Sequence, residues 1–337
     1  MNVLFLVPGL DGPSTRHRVL QYRPLLENQG INSAVSVAPR TLRGKIETWR
    51  ILSKFEALFI QKRLVQPWES WIMRLLSRRL VYDLDDAVMF KDNGTDKGLI
   101  PSRKIKFRSL ARVCDLVIAG NNYLKERVLP LNSRVELLPT PVDMTRYCPK
   151  TFQEKNRITI GWIGSRPTLS YLEKIKGVLE KIGEKYQNVE LKIVSDNFFD
   201  CKNIPVVKSK WSYDSEIDDL QSFDIGLMPL TDNAWTRGKC GFKLIQCMAV
   251  QVPVICSPVG MNREIVQHGV NGLWANNSEE WIKGLSTLIE TPTMREELGV
   301  TGRKTVQERY SLELNAMRLA GFLKNCIQGT NHANNQD

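Results

Sequence analysis

The sequence predicts an α/β protein of two doubly wound, Rossmann-like domains, on three observations. Short apolar runs of strand length alternate with segments of helical periodicity, as in a parallel sheet covered on both faces. The alternation pauses at PTPVDMTRYCPKTFQEKN, which has three prolines and little periodicity, and then starts again. The chain has 337 residues, which favours two domains over one.

In chain order, Val3–Val7 is the first strand, followed by the loop PGLDGPSTRHR and a helix over Val19–Asn28 that Gly30 ends. Ile31–Val37 and Ala57–Gln61 read as strands on either side of a basic helix, Thr41–Lys54. Pro67–Arg79 is amphipathic, with Trp68, Trp71, Ile72, Leu75 and Leu76 on its apolar side. Leu80–Leu84 is a strand running into Asp85 and Asp86, Ser102–Arg112 a second basic helix, and Cys114–Ala119 a strand. Asn121–Leu129 is a helix and Val135–Leu138 the last strand before the linker. Beyond it come strands at Ile158–Ile163, Val189–Val194, Ile225–Pro229 and Val254–Cys256. Helices fall at Ser170–Tyr186, Asp214–Leu220, Phe242–Val250, Arg263–Val266, Glu279–Glu290, Thr293–Glu308 and Leu312–Ile327. The expected division is therefore 1–148, 149–310, a helix over 311–328 and a polar, disordered tail over 329–337.

A hydrophobic content of 42%, with no apolar run near the ~18 residues of a membrane span, argues against a transmembrane helix. Met1-Asn2 leads straight into VLFLVPG, a strand rather than a signal peptide. Seven dispersed cysteines without a CxxC pair fit reduced thiols, and so a cytoplasmic protein. The three histidines, at 17, 268 and 332, are too scattered to suggest a metal site. The net charge of +11 is uneven. Residues 1–145 hold 23 Lys+Arg against 14 Asp+Glu (+9), and residues 146–337 hold 24 against 22 (+2). Such a basic half suits an anionic membrane surface, a phosphorylated acceptor or nucleic acid, and nucleic acid ranks last because no recognition motif accompanies the charge. Peripheral attachment to the inner face of the cytoplasmic membrane is thus one expectation. It centres on Arg40, Arg43, Lys45, Arg50 and Lys54 in one helical stretch and Arg103, Lys104, Lys106, Arg108 and Arg112 in another.

The organising stretch is Arg237–Ala275, RGKCGFKLIQCMAVQVPVICSPVGMNREIVQHGVNGLWA: a glycine-bearing loop, a helix, a buried strand, a loop and a short helix. Lys239, Lys243 and Gln246 gather at the N-terminal end of the first helix, where Gly238 and Gly241 leave backbone amides open. A helix N-terminus beside lysines suits a phosphate-bearing ligand. The plainer alternative is a buried helix with solvated lysines at its mouth.

Open parallel sheets bind ligands beyond the carboxyl ends of their strands, which selects four loops, the last of them within the organising stretch. Gly9–Arg18 offers Gly12, Ser14 and Arg16, or is a plain strand-to-helix turn. Tyr82–Asp86 places Asp83 and Asp85 on one face with Asp86 just past the strand; a carboxylate metal site is the weaker alternative. Gly161–Thr168 carries Ser165 and Arg166, whose forked guanidinium suits a diphosphate. Ser257–Glu264 presents Gly260, Met261, Asn262 and Glu264.

Arg237–Ala275 resembles the donor-binding segment of the family-four retaining glycosyltransferases of GT-B fold, through Met248-Ala249, Val252-Pro253-Val254-Ile255 and Glu264-Ile265-Val266. Thr140-Pro141-Val142-Asp143 is similar to that family's interdomain Thr-x-Val-Asp. The usual pair of glutamates is replaced, the first by Gly238 and the second by Gln246. The resemblance implies two domains facing each other across a cleft. It also implies a nucleoside-diphosphate sugar as donor, a glycan or lipid-linked acceptor, no cofactor or metal, and retention of configuration by same-face substitution. The roles it implies are catalytic for Asp85, Arg166 and Lys243. Donor binding would fall to Gly12, Ser165, Arg166, Lys239, Gly241, Lys243, Gln246, Met261, Asn262 and Glu264. Asp11, Ser14, Arg16 and Asp86 would lie on the acceptor and sugar side. The competing readings are a sugar-nucleotide epimerase of the same fold and a non-catalytic nucleotide-sugar-binding protein.

Overall fold

The computed structural model describes residues 1–91, 101–152 and 156–329. The tail expected to be disordered lies, from 330 onward, outside the described residues. The first strands and helices are β1 (Asn2–Val7), α1 (Pro13–Arg18), α2 (Arg23–Asn28), β2 (Asn32–Val37), α3 (Leu42–Ile51), β3 (Ala57–Gln61), α4 (Pro67–Leu76), β4 (Leu80–Leu84), α5 (Pro101–Val113), β5 (Leu116–Ala119), α6 (Asn122–Val128) and β6 (Val135–Leu137). The strands form one sheet in the order β2-β1-β3-β4-β5-β6, every pair parallel. The second series is β7 (Ile158–Ile163), α7 (Arg166–Glu173), α8 (Lys176–Lys185), β8 (Val189–Ser195), β9 (Val206–Lys210), α9 (Glu216–Gln221), β10 (Ile225–Met228), α10 (Phe242–Ala249), β11 (Val254–Cys256), α11 (Met261–Ile265), β12 (Leu273–Trp274), α12 (Ser278–Glu290) and α13 (Pro292–Arg309). Its sheet runs β12-β11-β10-β7-β8-β9, again all parallel. A last helix, α14 (Leu312–Gln328), follows. This is the two-domain α/β architecture of the GT-B-like class.

Each sheet is buried on both faces at its central strands, which are mostly apolar, and the period-two alternation decides which core a side chain joins. In β1, Val3, Phe5 and Val7 point into one core while Leu4 and Leu6 point into the other. Phe5 meets Phe59 of β3 at a ring-centroid distance of 4.7 Å. α14 closes the Phe5 side with Leu312, Ala316, Leu319, Ala320 and Leu323, at i, i+4, i+7, i+8 and i+11. It therefore belongs to the first unit, which comprises residues 1–141, 233–240 and 312–329, whereas 142–232 and 241–311 form the second. Among the described residues no helix is long and apolar enough to cross a membrane.

Four local expectations are corrected. Residues 13–18, read as loop, are helical: Pro13 sets φ at the first helical position. The helix expected over 170–186 is two helices, broken after Glu173 and restarted at Lys176. Strands β9 and β12 carried no readable signal; β9 is an edge strand of sequence VVKSK, open to solvent, and β12 has two residues. In α4 the side facing the sheet is the opposite one. Glu69, Ser70 and Met73 are buried, and Trp68, Trp71, Leu75 and Leu76 are exposed. Glu69 turns inward because Lys45 of α3 pairs with it, and Ser70 bonds Ser109 of α5 at 2.8 Å.

Candidate functional site

In the first unit, the carboxyl ends of β1, β3 and β4 converge on a buried polar network. β3 and β4 pair in register with Gln61 opposite Asp83, which brings both strand ends level. Arg18, at the end of α1, forks onto both Asp83 oxygens, and its Nη1 donates to the Leu138 carbonyl at 2.7 Å. Both side chains of this pair are 1% exposed. Burial opposes the guanidinium's charge, but Asp83 more than offsets it and raises the Arg18 pKa. Ser14 donates its hydroxyl to Asp85 Oδ2 and accepts from Gln61 Nε2 at 3.1 Å, while Thr15 donates to Gln61 Oε1 at 3.0 Å.

Lys62 sits directly after β3 with φ +56°, a left-handed conformation that non-glycine residues adopt only where the surroundings enforce it. There it pairs with Asp86 and lies 3.4 Å from Asp85 Oδ1. Burial opposes the lysine's charge, yet the two carboxylates outweigh it and raise its pKa. Burial also pushes the Asp85 carboxyl up, but Lys62, Arg18 and the Ser14 hydroxyl together bring it below its ordinary value. Asp86 moves the other way: burial and the adjacent Asp85 charge exceed the pull of Lys62. The pair thus sets two neighbouring carboxyls apart in acidity. Asp83, Asp85 and Asp86 are all engaged by cations or a hydroxyl, and among the described residues no cluster suited to a metal ion occurs.

Residues 233–240 complete this network. Cys240 Sγ donates to the Asp85 carbonyl at 3.1 Å, and burial keeps the thiol protonated by raising its pKa. Asn121, the N-cap of α6, donates to the Lys239 carbonyl at 3.2 Å. Lys239 stands over the Trp235 ring at 5.4 Å. The organising stretch therefore divides after Cys240: Lys239 belongs to the first unit and Gly241, Lys243 and Gln246 to the second. Asp11 is exposed, and Gly12 is the N-cap of α1 without a side-chain capping bond. Arg16 is half-buried on α1 beside Ser14 and Thr15.

In the second unit, the ends of β7 and β11 flank the N-terminus of α10. Gly241 caps α10 from φ +62°, with no side-chain capping bond. Its missing Cβ leaves room for Ile265 Cδ1, which would otherwise lie 2.4 Å away. Lys243 Nζ rests 4.3 Å from the Trp162 ring centroid and donates to Thr168 Oγ1 at 3.0 Å. Gly164 makes this possible, since a Cβ there would stand 2.4 Å from both Lys243 Nζ and the Trp162 ring. Ser165 caps α7, and Arg166 is its first residue, exposed, with its backbone N–H donated to Asp196 Oδ1 at 2.6 Å. The loop expected over 161–168 is shorter than expected: Gly161 is a buried position of β7. Met261 and Asn262 are buried at the start of α11, Asn262 donating to the Ser257 carbonyl at 3.0 Å, and Glu264 is half-buried.

Gln246 is 5% exposed, and its Nε2 donates to Tyr147 Oη at 2.9 Å. Tyr147 in turn donates to Glu216 Oε1 at 2.7 Å, and Trp211 Nε1 donates to Glu216 Oε2 at 2.9 Å. Burial and Glu216 raise the Tyr147 pKa, so the phenol keeps its proton. Gln246 is thus the terminal donor of a directed chain.

Of the expected residues, the structure joins Ser14, Asp85 and Asp86 through Gln61 and Lys62, which the sequence reading missed. It joins Lys243 to the 164–168 turn through Trp162 and Thr168. The signal for Gln61 and Lys62 was available: they end and follow a strand, as Asp85 does. Nothing in the sequence points from Gln246 to Tyr147 and Glu216.

Residues 160–291 match the family model described as Glycosyl transferases group 1, a stretch that takes in the 164–168 turn, α10 and α11. Several solved structures share the fold. Anabaena Alr3699/HepE, in complex with UDP and glucose, superposes with a TM-score of 0.73 at 14% identity, covering 96% of this chain and 100% of that one. Sucrose-phosphate synthase from Thermosynechococcus elongatus gives 0.74 at 12% identity over 98% and 99% of the two chains. A glycosyltransferase from Rickettsia africae gives 0.73 at 14% identity over 98% and 99%. At such identities the likeness is one of fold.

Proposed function

We propose that the protein is a glycosyltransferase that moves a sugar from a nucleoside-diphosphate sugar to a glycan or lipid-linked acceptor, with retention, in cell-surface polysaccharide synthesis. The observation that carries this reading is the second-unit cluster. Lys243 is held over Trp162 at the N-terminus of α10, beside the exposed Arg166 of a turn that Gly164 keeps clear. An ammonium, a guanidinium and helix-start amides suit a diphosphate. The match over 160–291 to group 1 glycosyl transferases supports the same assignment.

Charge grows on the departing diphosphate as the glycosidic bond breaks, and preorganised cations stabilise it. In same-face substitution the acceptor oxygen bonds the anomeric carbon while its proton passes to the leaving phosphate, so no protein base is needed. The Ser14–Asp85–Lys62 network would receive sugar hydroxyls in this reading, with the low-pKa Asp85 as acceptor. Lys243 and Arg166 do the electrostatic work of a divalent metal, so turnover should survive EDTA.

Calorimetry with UDP and GDP tests the donor site, and Lys243→Ala should weaken the nucleotide that binds. Incubation of the preferred donor with and without an acceptor then separates the classes. A transferase converts donor only with acceptor, an epimerase isomerises it alone, and a binder does neither. Wild-type protein that binds no nucleoside diphosphate would overturn the proposal.

A further inference from the structure

α4 is amphipathic with its apolar side outward. Trp68, Trp71 and Leu75 follow one another at i, i+3 and i+7 and are 49%, 59% and 80% exposed. Leu76 on the same helix and Ile105 on the adjoining α5 extend the patch. Trp68 is braced edge-on by Trp49, 6.0 Å away and packed on the core, so its outward pose is fixed. Isolated exposed leucines are ordinary in folded proteins, but a contiguous apolar stripe with two tryptophans is a contact surface.

The charge beside the stripe says what it contacts. α5, packed against α4, carries Arg103, Lys104, Lys106, Arg108 and Arg112 and no acidic residue. Arg108 and Arg112 are exposed in line with Ile105, and among the described residues no carboxylate pairs with Lys104, Lys106, Arg108 or Arg112. The basic helix α3 has two of its three cations paired: Lys45 with Glu69, and Arg43 with Glu47 at 3.0 Å. A second copy of the chain would set these cations against their own kind. An anionic bilayer satisfies both halves of the surface, because tryptophan and leucine enter the headgroup–acyl boundary while Lys and Arg stems reach along it to phosphates.

We propose that the α4–α5 face of the first unit docks on an anionic lipid bilayer, with Trp68, Trp71 and Leu75 inserted at the interface and Lys104, Lys106, Arg108 and Arg112 on the headgroups. This docking needs no donor and so stands or falls separately from the catalytic assignment.

The test is sedimentation of the full chain with phosphatidylcholine vesicles, with and without phosphatidylglycerol. Binding should require the anionic lipid and decline as salt rises. Arg108→Glu with Arg112→Glu should weaken it by at least about twentyfold, each lost cation being worth roughly a factor of five. Trp71→Ala with Leu75→Ala should weaken it by about tenfold or more and, unlike the charge reversals, leave the salt dependence unchanged. Both pairs are exposed, so an unaltered melting temperature verifies the fold. No binding to either vesicle, equal binding to both, or full binding by the Trp71→Ala/Leu75→Ala protein would overturn the proposal. So would concentration-dependent self-association without lipid that these substitutions abolish, since the face would then be an interface between copies.

Discussion

The two sheet ends solve opposite problems. In the first unit, the charges beyond β1, β3 and β4 are answered from within: Arg18 by Asp83, and Lys62 by Asp85 and Asp86. In the second, Arg166 is exposed, and Lys243 has a ring and a hydroxyl beside it. A closed network costs stability when broken, because it strands a buried charge. Under the proposed function, breaking the second cluster instead costs affinity, because the donor diphosphate would share its charge. The same strand-end position thus holds an internally paired network in one unit and, under the proposed function, an anion-receiving cluster in the other.

Substitutions can separate the two. Arg18→Met should have the largest effect, about 3–5 kcal/mol of folding free energy, since it leaves the fully buried Asp83 uncompensated. Urea denaturation reads it directly, and a loss below 1 kcal/mol would show that Asp83 does not depend on its partner. Lys243→Ala should leave the urea midpoint nearly unchanged but reduce nucleoside-diphosphate binding by about 1.5–3 kcal/mol. If that substitution moved stability and not binding, the contrast between the units would collapse.

Gln246→Glu tests a closed network of the second unit. Tyr147 has a single proton and gives it to Glu216, so a second carboxylate on that hydroxyl would find no donor. We expect a loss of about 1–3 kcal/mol of stability, whereas a neutral result would mean that the amide is not the donor. Ser14→Ala should have the smallest effect, about 1 kcal/mol at neutral pH. Asp85 has a depressed pKa, so its contribution is present above the ordinary carboxyl value near 4 and is lost as pH falls through its own lower value. The penalty for losing the Ser14 hydroxyl should therefore shrink in the same direction, which paired unfolding curves at pH 7 and pH 3 would reveal.

The legible part of the molecule is what periodicity encodes. Buried parallel strands such as Ala57–Gln61, apolar up to its terminal Gln61, and Val254–Cys256, apolar throughout, stand out as runs, and the loops after them could be found from strand ends alone. What periodicity does not encode is direction and partnership. The outward turn of Trp68 and Trp71 depends on Lys45 drawing Glu69 inward and on Ser109 meeting Ser70, and no pattern within α4 contains either partner. Ser14 and Asp85 are 71 residues apart, and Tyr147 and Gln246 are 99 apart. Such pairs come together only when the sheet order is known. The short edge strands β9 and β12 escaped because a half-solvated strand or a two-residue one has no apolar run to show.

The placement of α14 bears on how the chain is made. The first unit's sheet is complete by residue 137, yet one of its faces waits for Leu312, Leu319 and Leu323. A chain emerging from the ribosome would hold Val3, Phe5 and Phe59 on an uncovered surface while nearly two hundred further residues are synthesised. At about 5–20 residues per second that is on the order of ten seconds or more of exposed apolar sheet. The first unit should accordingly be the last to mature, and nascent chains stalled before residue 312 should be the ones that chaperones hold.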